Sequence, residues 1–554
     1  MTEDAVRIIP LGGLGEIGKN MTAVEYRGKI VVLDCGVEFP SEDMLGIDLV
    51  LPDIRWLMQR QADVLAFVIT HGHEDHQGAL PFVLRQLNRP VYGSRFTLAL
   101  IKSKLEEHGL LKSVDLIEVS DKSRLQLGPF DLSFIATSHS IPDSLSIVLG
   151  TDLGAVVLTG DYRFDHTPID GRVTDVDAFA RLGEKGVLAL LGDSTNAEAP
   201  GSTASESTVS QAFHRIFAEA EGRVIVASFA SHIHRIQQAI TIAHLHGRKF
   251  ALSGRSMVKN ANIARNLGYL KVPEGAMIKL TQIDEYRPEE ILILSTGSQG
   301  EPLSALTRMA FNDHPQVELH EGDTVVISAK AIPGNERSVT ATIDRLLKVG
   351  ATVIYGERSG IHVSGHAAQE DLKMMLNLTR PRFLVPVHGE YRMQHMHAEL
   401  ARQSGIPDED IFILENGDVL ELEADNGEIV DKVATGMVFV DGSEIGDPEG
   451  LVLRDRQQLA ADGILIAVVT VDAQTGDSVA APELVARGFL HDDERLKDIL
   501  DECSDALDAL MDELGAEHVT GRHLIREDII QRLSELVFRR TKSRPLIMPV
   551  VVEV

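Results

Sequence analysis

The heptapeptide Thr70-His71-Gly72-His73-Glu74-Asp75-His76 follows directly on the apolar run Val64 to Ile69. Imidazole and carboxylate are ligand types that bind zinc or manganese, and a tight loop at a strand end can aim several of them together. A purely structural reading makes these histidines solvated loop residues. That accounts for one or two of them, not for the alternation His-x-His-x-Asp-His. Further along, His139, Asp161, Asp193 and His388 each close an apolar run. Strand ends are where an α/β framework presents functional groups. One such residue would be a turn or capping group; a set of them beside the histidine run points to a metal-dependent hydrolase.

The elements that must position these groups follow from the pattern. Val6 to Ile9 leads into Gly12-Gly13-Leu14-Gly15-Glu16-Ile17-Gly18, which contains Gly-x-Gly-x-x-Gly, with Asp34 at a distance suited to a ribose-binding acid. A dinucleotide fold is therefore a rival. It fails because Met21 to Tyr26 and Ile30 to Leu33 read as strands about an Arg27-Gly28-Lys29 turn, leaving no room for a crossover helix. Leu80 to Leu87 and Phe96 to Leu105 read as helices, and Phe130 to Ala136 as a strand. Ser146 to Leu149 with Ala155 to Leu158 reads as a hairpin. Past the polar stretch Gly201 to Ser210 the pattern becomes short strands alternating with helices, as in a parallel α/β domain. Phe383 to Val387 is one more buried strand. In the last hundred residues, Ile464 to Val471 reads as a strand and Arg495 to Leu514 as an amphipathic helix. The cluster Arg539, Arg540, Lys542 and Arg544 reads first as charged helix ends facing solvent, with RNA contact as the alternative.

The chain has 554 residues, long enough for two or three domains, and 44% hydrophobic content describes a globular protein. No apolar run approaches a membrane span, and the N-terminal residues lack the pattern of a secretory signal. Two distant cysteines, Cys35 and Cys503, make no disulfide framework. A cytoplasmic protein with no membrane association is expected. The net charge of −30 argues against RNA binding by the surface as a whole. Local channels, and divalent cations at the site, are not excluded by it.

His71 to His76, Asp34, His139 and Asp161 resemble, in order and context, the motif series of the metallo-β-lactamase fold. Asp193, Ser364-Gly365-His366 and His388 resemble the three further motifs of its nucleic-acid-processing β-CASP branch. Over its whole length the chain is similar to the ribonuclease J family. The resemblance implies an αββα metallo-β-lactamase sandwich with an inserted β-CASP α/β domain and a small C-terminal α/β domain. The expected boundaries are 1–205 and 375–430 for the sandwich, 206–374 for the insert, 431–455 for a linker and 456–554 for the C-terminal domain. It also implies two divalent ions, zinc or manganese: one on His71, His73 and His139, the other on Asp75, His76 and His388, with Asp161 bridging. Asp34 would orient a ligand imidazole, as such carboxylates commonly do. A peripheral structural cation near Asp48 and Asp441 is a further expectation of the family.

Chemistry and substrate follow from the same assignment. Two ions about 3.5–4 Å apart suit phosphodiester hydrolysis. Asp75, His76, Asp193 and His366 form the expected catalytic set, His366 as proton donor to the leaving 3′ oxygen. The rival view of His366 is a buried structural histidine. Ser364 and Gly365 offer a hydroxyl and an unhindered amide to phosphate, and His362, Val363 and His366 flank them. Ser231, His232 and Ile233, at the start of a helix, form a second expected cradle, which in this family takes a 5′-monophosphate. The expected function is a 5′-to-3′ exoribonuclease with added endonuclease activity, in mRNA decay and rRNA maturation. RNA, a homodimer or homotetramer, and RNA-decay proteins are the expected partners. The competing readings are a glyoxalase- or lactonase-type hydrolase, a DNA-directed β-CASP nuclease and a non-catalytic RNA-binding subunit. An insert that small esters do not need, His388 in place of the valine of DNA-directed members, and a complete ligand set speak against each in turn.

Overall fold

Strand Val6–Gly12 pairs antiparallel with Met21–Tyr26, which pairs antiparallel with Lys29–Leu33. Arg27 and Gly28 turn between the last two with φ of 48° and 69°, the doubly left-handed turn that matches strand twist. The glycine loop therefore joins antiparallel neighbours, and the dinucleotide alternative is excluded. The computed structural model describes residues 5–554 except 42, 302, 333–334, 443, 447–449, 476 and 517–520. The chain divides into two units, one of residues up to Phe39 with Leu49–Val438, the other of Pro40–Asp48 with Phe439–Val554.

In the larger unit these strands belong to an eight-stranded sheet. Its order is Gly427–Lys432, Asp418–Leu422, Val6–Gly12, Met21–Tyr26, Lys29–Leu33, Val64–Val68, Val91–Gly93 and Leu116–Glu118. A six-stranded sheet faces it, in the order Phe383–Val387, Val187–Asp193, Gly154–Leu158, Leu145–Thr151, Phe130–Ala136 and Arg124–Leu127. Val24, Val31, Leu33 and Val68 from the first sheet and Phe134, Ile147, Leu158 and Leu191 from the second share one buried core. Alternation sends Leu190 the other way, and a register irregularity between Val187 and Ala189 sends Val187 there too, onto the helices Val176–Lys185 and Gln369–Thr379. Helix Arg95–Glu107 lies against Val91–Gly93 and Leu116–Glu118. The result is a two-sheet sandwich with helices outside both sheets.

Strands Val187–Asp193 and Phe383–Val387 are parallel neighbours, with Asp193 opposite Val387. The chain between them forms a separate all-parallel sheet, ordered Lys249–Ser253, Ile291–Ser295, Val224–Ala227, Thr324–Ile327 and Thr352–Ile354. Helices cover both faces: Thr208–Glu219 and Ile233–Leu245 on one, Glu336–Lys348 on the other. The excursion leaves and returns at adjacent strand ends.

Two helices carry only narrow apolar stripes. Arg255–Leu267 buries only Met257, Ala261 and Ala264, and Glu336–Lys348 only Thr342, Ile343 and Leu346. Conversely, the helix expected over 80–87 is confined to Leu80–Val83, while Leu84 and Leu87 are buried beyond its end. Apolar spacing there reports burial rather than helix.

The stretch 431–455, expected as a linker, holds the antiparallel strands Met437–Asp441 and Glu444–Gly446 and the start of helix Leu451–Asp462. The smaller unit is built on the sheet Ser478–Arg487, Ile464–Val471 and Leu546–Glu553. Helices Asp493–Ala516 and Arg522–Thr541 pack on one face of it through Leu507, Leu510, Ile529 and Leu533. Among the described residues no helix is long and apolar enough to cross a membrane.

Candidate metal centre

The histidine run sits where strand Val64–Val68 ends, and His73 precedes the single helical turn Glu74–Gln77. Gly36 lets this turn approach: a Cβ there would lie 1.6 Å from the Asp75 carbonyl oxygen. His139 arrives from the end of Phe130–Ala136, Asp161 from Gly154–Leu158 and His388 from Phe383–Val387. Parallel or hairpin-linked strands with a common end deliver them to one place.

Two groups of donor atoms result, sharing one carboxylate. Nδ1 of His73 lies 3.1 Å from Nε2 of His71 and 3.2 Å from Nε2 of His139. Oδ2 of Asp161 lies 3.4 Å and 3.5 Å from the same two Nε2 atoms. The other oxygen, Oδ1, faces Nε2 of His76 at 3.3 Å and of His388 at 3.7 Å. Oδ2 of Asp75 completes that second group, 3.5 Å from His76 and 3.2 Å from His388. Donor atoms of His71, His73, His139 and Asp161 all lie within 4.8 Å of one another, as do those of Asp75, His76 and His388.

The electrostatics fit a divalent cation. Burial holds the imidazoles of His71 and His139 well below the usual histidine range, and that of His73 at about 4. Neutral rings offer lone pairs, and three ring nitrogens converging at about hydrogen-bond distance cannot all be satisfied by protons between them. Burial opposes charge on His76 and His388 too, but the surrounding carboxylates, Asp161 foremost, outweigh it and raise both. The second group thus draws positive charge. Oδ1 of Asp161 is buried without a hydrogen-bond partner, an acceptor that a cation would satisfy.

The candidate ligand rings are held from behind, that of His73 by the Ser140 hydroxyl 3.4 Å from its Nε2. Asp34 places Oδ2 2.8 Å from Nδ1 of His76 and accepts the Thr70 N–H at 2.8 Å through Oδ1. The Thr70 hydroxyl lies 2.9 Å from Nδ1 of His71, Nδ1 of His139 donates to the Gly365 carbonyl at 2.8 Å, and Nδ1 of His388 meets the Thr195 hydroxyl. Such outer contacts fix ring orientation and tautomer. Thr195 carried no chemical pattern in the sequence. Asn20, whose amide donates to the Asp75 carbonyl at 3.0 Å, was hidden in the glycine loop.

Above the cluster, Nδ1 of His366 lies 2.8 Å from Oδ2 of Asp193, and its ring stands 5.3 Å from that of His139 and 5.5 Å from that of His388. Burial lowers the proton affinity of His366, yet Asp193 and Asp161 prevail and raise it. The Ser364 hydroxyl accepts the His366 N–H at 3.1 Å. At Gly365 a Cβ would lie 2.5 Å from Cε1 of His139, so only glycine passes this close.

The expected cradle at 231–233 differs in detail. The N–H groups of His232 and Ile233 donate to the Phe229 and Ser231 carbonyls, and Ile233 belongs to the apolar core of the insert with Val363 packed on it. The polar groups left there are the half-buried Ser231 hydroxyl, Nε2 of His232 and Nδ1 of His362, the last two buried and without hydrogen-bond partners, Nε2 of His232 lying 3.8 Å from Glu206. Burial drives the ring of His232 well below the usual range and that of His362 to about 3. In the smaller unit, Oδ2 of Asp48 accepts the Gly442 N–H at 2.7 Å and Asp441 pairs with Arg456. Of the basic cluster, Arg540 pairs with Glu502, and Lys542 and Arg544 lie over the Phe538 ring.

Comparison with known proteins covers nearly all of this architecture. Residues 14–201 match the metallo-beta-lactamase superfamily and residues 354–414 the Zn-dependent metallo-hydrolase RNA specificity domain. Residues 221–346 match the ribonuclease J beta-CASP domain and residues 451–554 the ribonuclease J C-terminal domain. Ribonuclease J2 of Bacillus subtilis is 42% identical over 99% of this chain and 99% of its own. Ribonuclease J 1 of Streptococcus pyogenes is 44% identical over 99% and 97%. Ribonuclease J of Thermus thermophilus is 43% identical over 100% and 96%. A crystal structure of a protein of unknown function from Enterococcus faecalis shares the fold, with a TM-score of 0.54 over 76% of this chain at 16% identity. A hydrolase sandwich, its insert and the C-terminal domain match in one continuous order, and the chain belongs to the ribonuclease J family of metal-dependent ribonucleases.

Proposed function

We propose that this protein removes nucleotides from the 5′ end of RNA, prefers a 5′-monophosphate, also cuts internally, and serves mRNA decay and rRNA maturation. The observation that carries the reading is Asp161, whose two oxygens face two separate groups of imidazoles. His71, His73 and His139 would hold one ion, Asp75, His76 and His388 the other, and Asp161 both. Zinc or manganese suits a set of imidazole and carboxylate without cysteine. Bound there, divalent ions would supply Lewis acidity, activating water and offsetting charge on the phosphate.

The chain's own groups do the rest. Asp193 holds Nδ1 of His366, which turns Nε2 toward substrate. The Asp193 carboxylate 2.8 Å from Nδ1 favours the protonated ring. As water adds to phosphorus and the P–O3′ bond breaks, the ring's proton passes to the 3′ oxygen, and the proton lost by the water goes to solvent, from which His366 is reprotonated. The Ser364 hydroxyl, accepting from His366 N–H, keeps its own hydrogen for a phosphate oxygen. Ser231, His232 and His362 are the polar groups assigned to a terminal phosphate.

Buried free thiols at Cys35 and Cys503 support a reducing, cytoplasmic setting. Val485, Met548 and Val552 are exposed on the small sheet, alternating with core residues. They support self-association into a dimer or tetramer, which light scattering reads directly. The decisive experiment is digestion of uniformly labelled RNA bearing a 5′-monophosphate or 5′-triphosphate, with zinc or manganese supplied. Mononucleotides released faster from the monophosphate are expected. Equal rates overturn the 5′-phosphate preference, and internal fragments alone overturn the direction.

A further inference from the structure

The strap Ile361 to His366, which carries Ser364 and His366, is tied down by its carbonyl groups. Arg235 donates to the Ile361 carbonyl at 2.8 Å, Arg163 to that of Ser364 at 2.8 Å, His139 to that of Gly365, and the Thr203 hydroxyl to that of His366 at 2.7 Å. Two of these four anchors are guanidinium groups, 1% and 0% exposed for Arg163 and Arg235.

Buried guanidinium groups need a counter-charge, and Glu206, itself 0% exposed, lies between them. Its Oε1 accepts from Nε of Arg235 at 2.7 Å and from the Gln238 amide at 2.9 Å. Its Oε2 lies 3.4 Å and 3.5 Å from the two terminal nitrogens of Arg163. Asp165 binds the same assembly, accepting the Glu206 N–H at 2.9 Å and standing 3.2 Å from Arg163. Arg163, Arg235 and Glu206 come from three places. Arg163 follows Asp161 by two residues and donates its backbone N–H to the Ser138 carbonyl, next to His139. Arg235 lies in the first turn of the insert helix Ile233–Leu245. Glu206 stands just before helix Thr208–Glu219.

We propose that Glu206 is a positioning residue for proton transfer to the leaving group: as shared counter-charge of Arg163 and Arg235, it fixes the strap carrying Ser364 and His366 above the metal-binding cluster. This rests on His366 being the proton donor, as argued above. Without the carboxylate, Arg163 keeps Asp165 as counter-charge, but the buried Arg235 is left on the neutral Ser328 and Ile361 groups and repelled by Arg163. Arg235 shifts, and the Ile361 carbonyl it holds moves with it. A displacement of about an ångström at the reacting centre costs roughly 10²-fold in rate.

The test uses the full-length, metal-loaded protein and two substrates that differ in leaving group. RNA departs as an alkoxide that needs a proton; bis(p-nitrophenyl) phosphate releases a stabilised phenolate that does not. Glu206→Gln is expected to lose kcat on RNA by at least about tenfold more than on the p-nitrophenyl ester, consistent with loss of general-acid help. Metal content per chain should stay unchanged and KM for RNA should move far less than kcat. Glu206→Asp should recover part of the loss. Equal losses on both substrates, or loss of metal, overturn the positioning role. His366→Ala run in parallel separates the two claims. If it discriminates between the substrates and Glu206→Gln does not, the positioning role alone fails. If it does not discriminate, the donor assignment fails and the inference with it. Should Glu206→Gln not fold, Arg163→Lys, which keeps the charge but shortens the reach to Ser364, must show the same substrate dependence.

Discussion

Asp34 and His388 both occupy the left-handed backbone region, at φ 59° and 54°. For residues other than glycine that costs on the order of 1 kcal/mol each. The return is orientation: Asp34 reaches His76 and Thr70 together, and His388 turns Nε2 toward Asp161 while Nδ1 meets Thr195. Replacing Asp34 by Ala should weaken metal affinity by about 10–100-fold with the ligands intact, read by titration against a metal-binding dye. Glu206 makes a different prediction. Burial would raise its carboxyl, but Arg235, His232 and Arg163 overcome this and hold it well below the usual range. A carboxyl depressed on folding contributes stability that is complete above its unfolded value, about 4.3. The contribution is lost as pH falls toward the folded value. The Tm gap between the parent and Glu206→Gln should therefore be constant near neutrality and narrow below about pH 4.

At the scale of elements, the candidate metal-binding groups depend on strands that end together and on loops that pass within van der Waals distance. Gly36 is the clearest case, since a Cβ would meet the Asp75 carbonyl at 1.6 Å and backbone cannot yield as a side chain can. Gly36→Ala should destabilise by about 1–3 kcal/mol and reduce bound metal, while the denaturant slope stays that of the parent. Much of this level was legible. The run ending at His71 and the strand ends at His139, Asp161, Asp193 and His388 are short-range patterns, set by apolar residues that precede a polar one. The helices Arg255–Leu267 and Glu336–Lys348 were not: their stripes, Met257, Ala261 and Ala264 in one and Val339, Ile343 and Leu346 in the other, keep helical spacing but hold few large side chains among many polar ones. The cradle at 231–233 was legible only as a helix start; that its amides are consumed by their own turn depends on backbone angles no residue type announces.

For the whole molecule, the division into two units has a thermodynamic consequence. All seven residues assigned to the ions lie in the unit formed by residues up to Phe39 and Leu49–Val438. Ligands stabilise only the cooperative unit that binds them. Calorimetry should resolve two transitions, and a chelator should lower the one belonging to the larger unit while leaving the other in place. A single transition, or an equal shift of both, would contradict independent units.

The sequence by itself determined the candidate ligand types and their order, and with them a metal-dependent hydrolase; resemblance to a known family supplied the kind of hydrolase. Residue chemistry and the short spacing within His71 to His76 are carried in full by the linear pattern. Tertiary structure alone decided how the groups meet. The insert departs after Asp193 and returns at Phe383 because these two strand ends are parallel neighbours. That adjacency swings His366 onto Asp193, 173 residues away in the chain, and brings Arg163, Glu206 and Arg235 into one buried charge cluster. Charge compensation between residues so far apart is a property of the packed interior, where each buried ion must find its partner, and no local spacing records it.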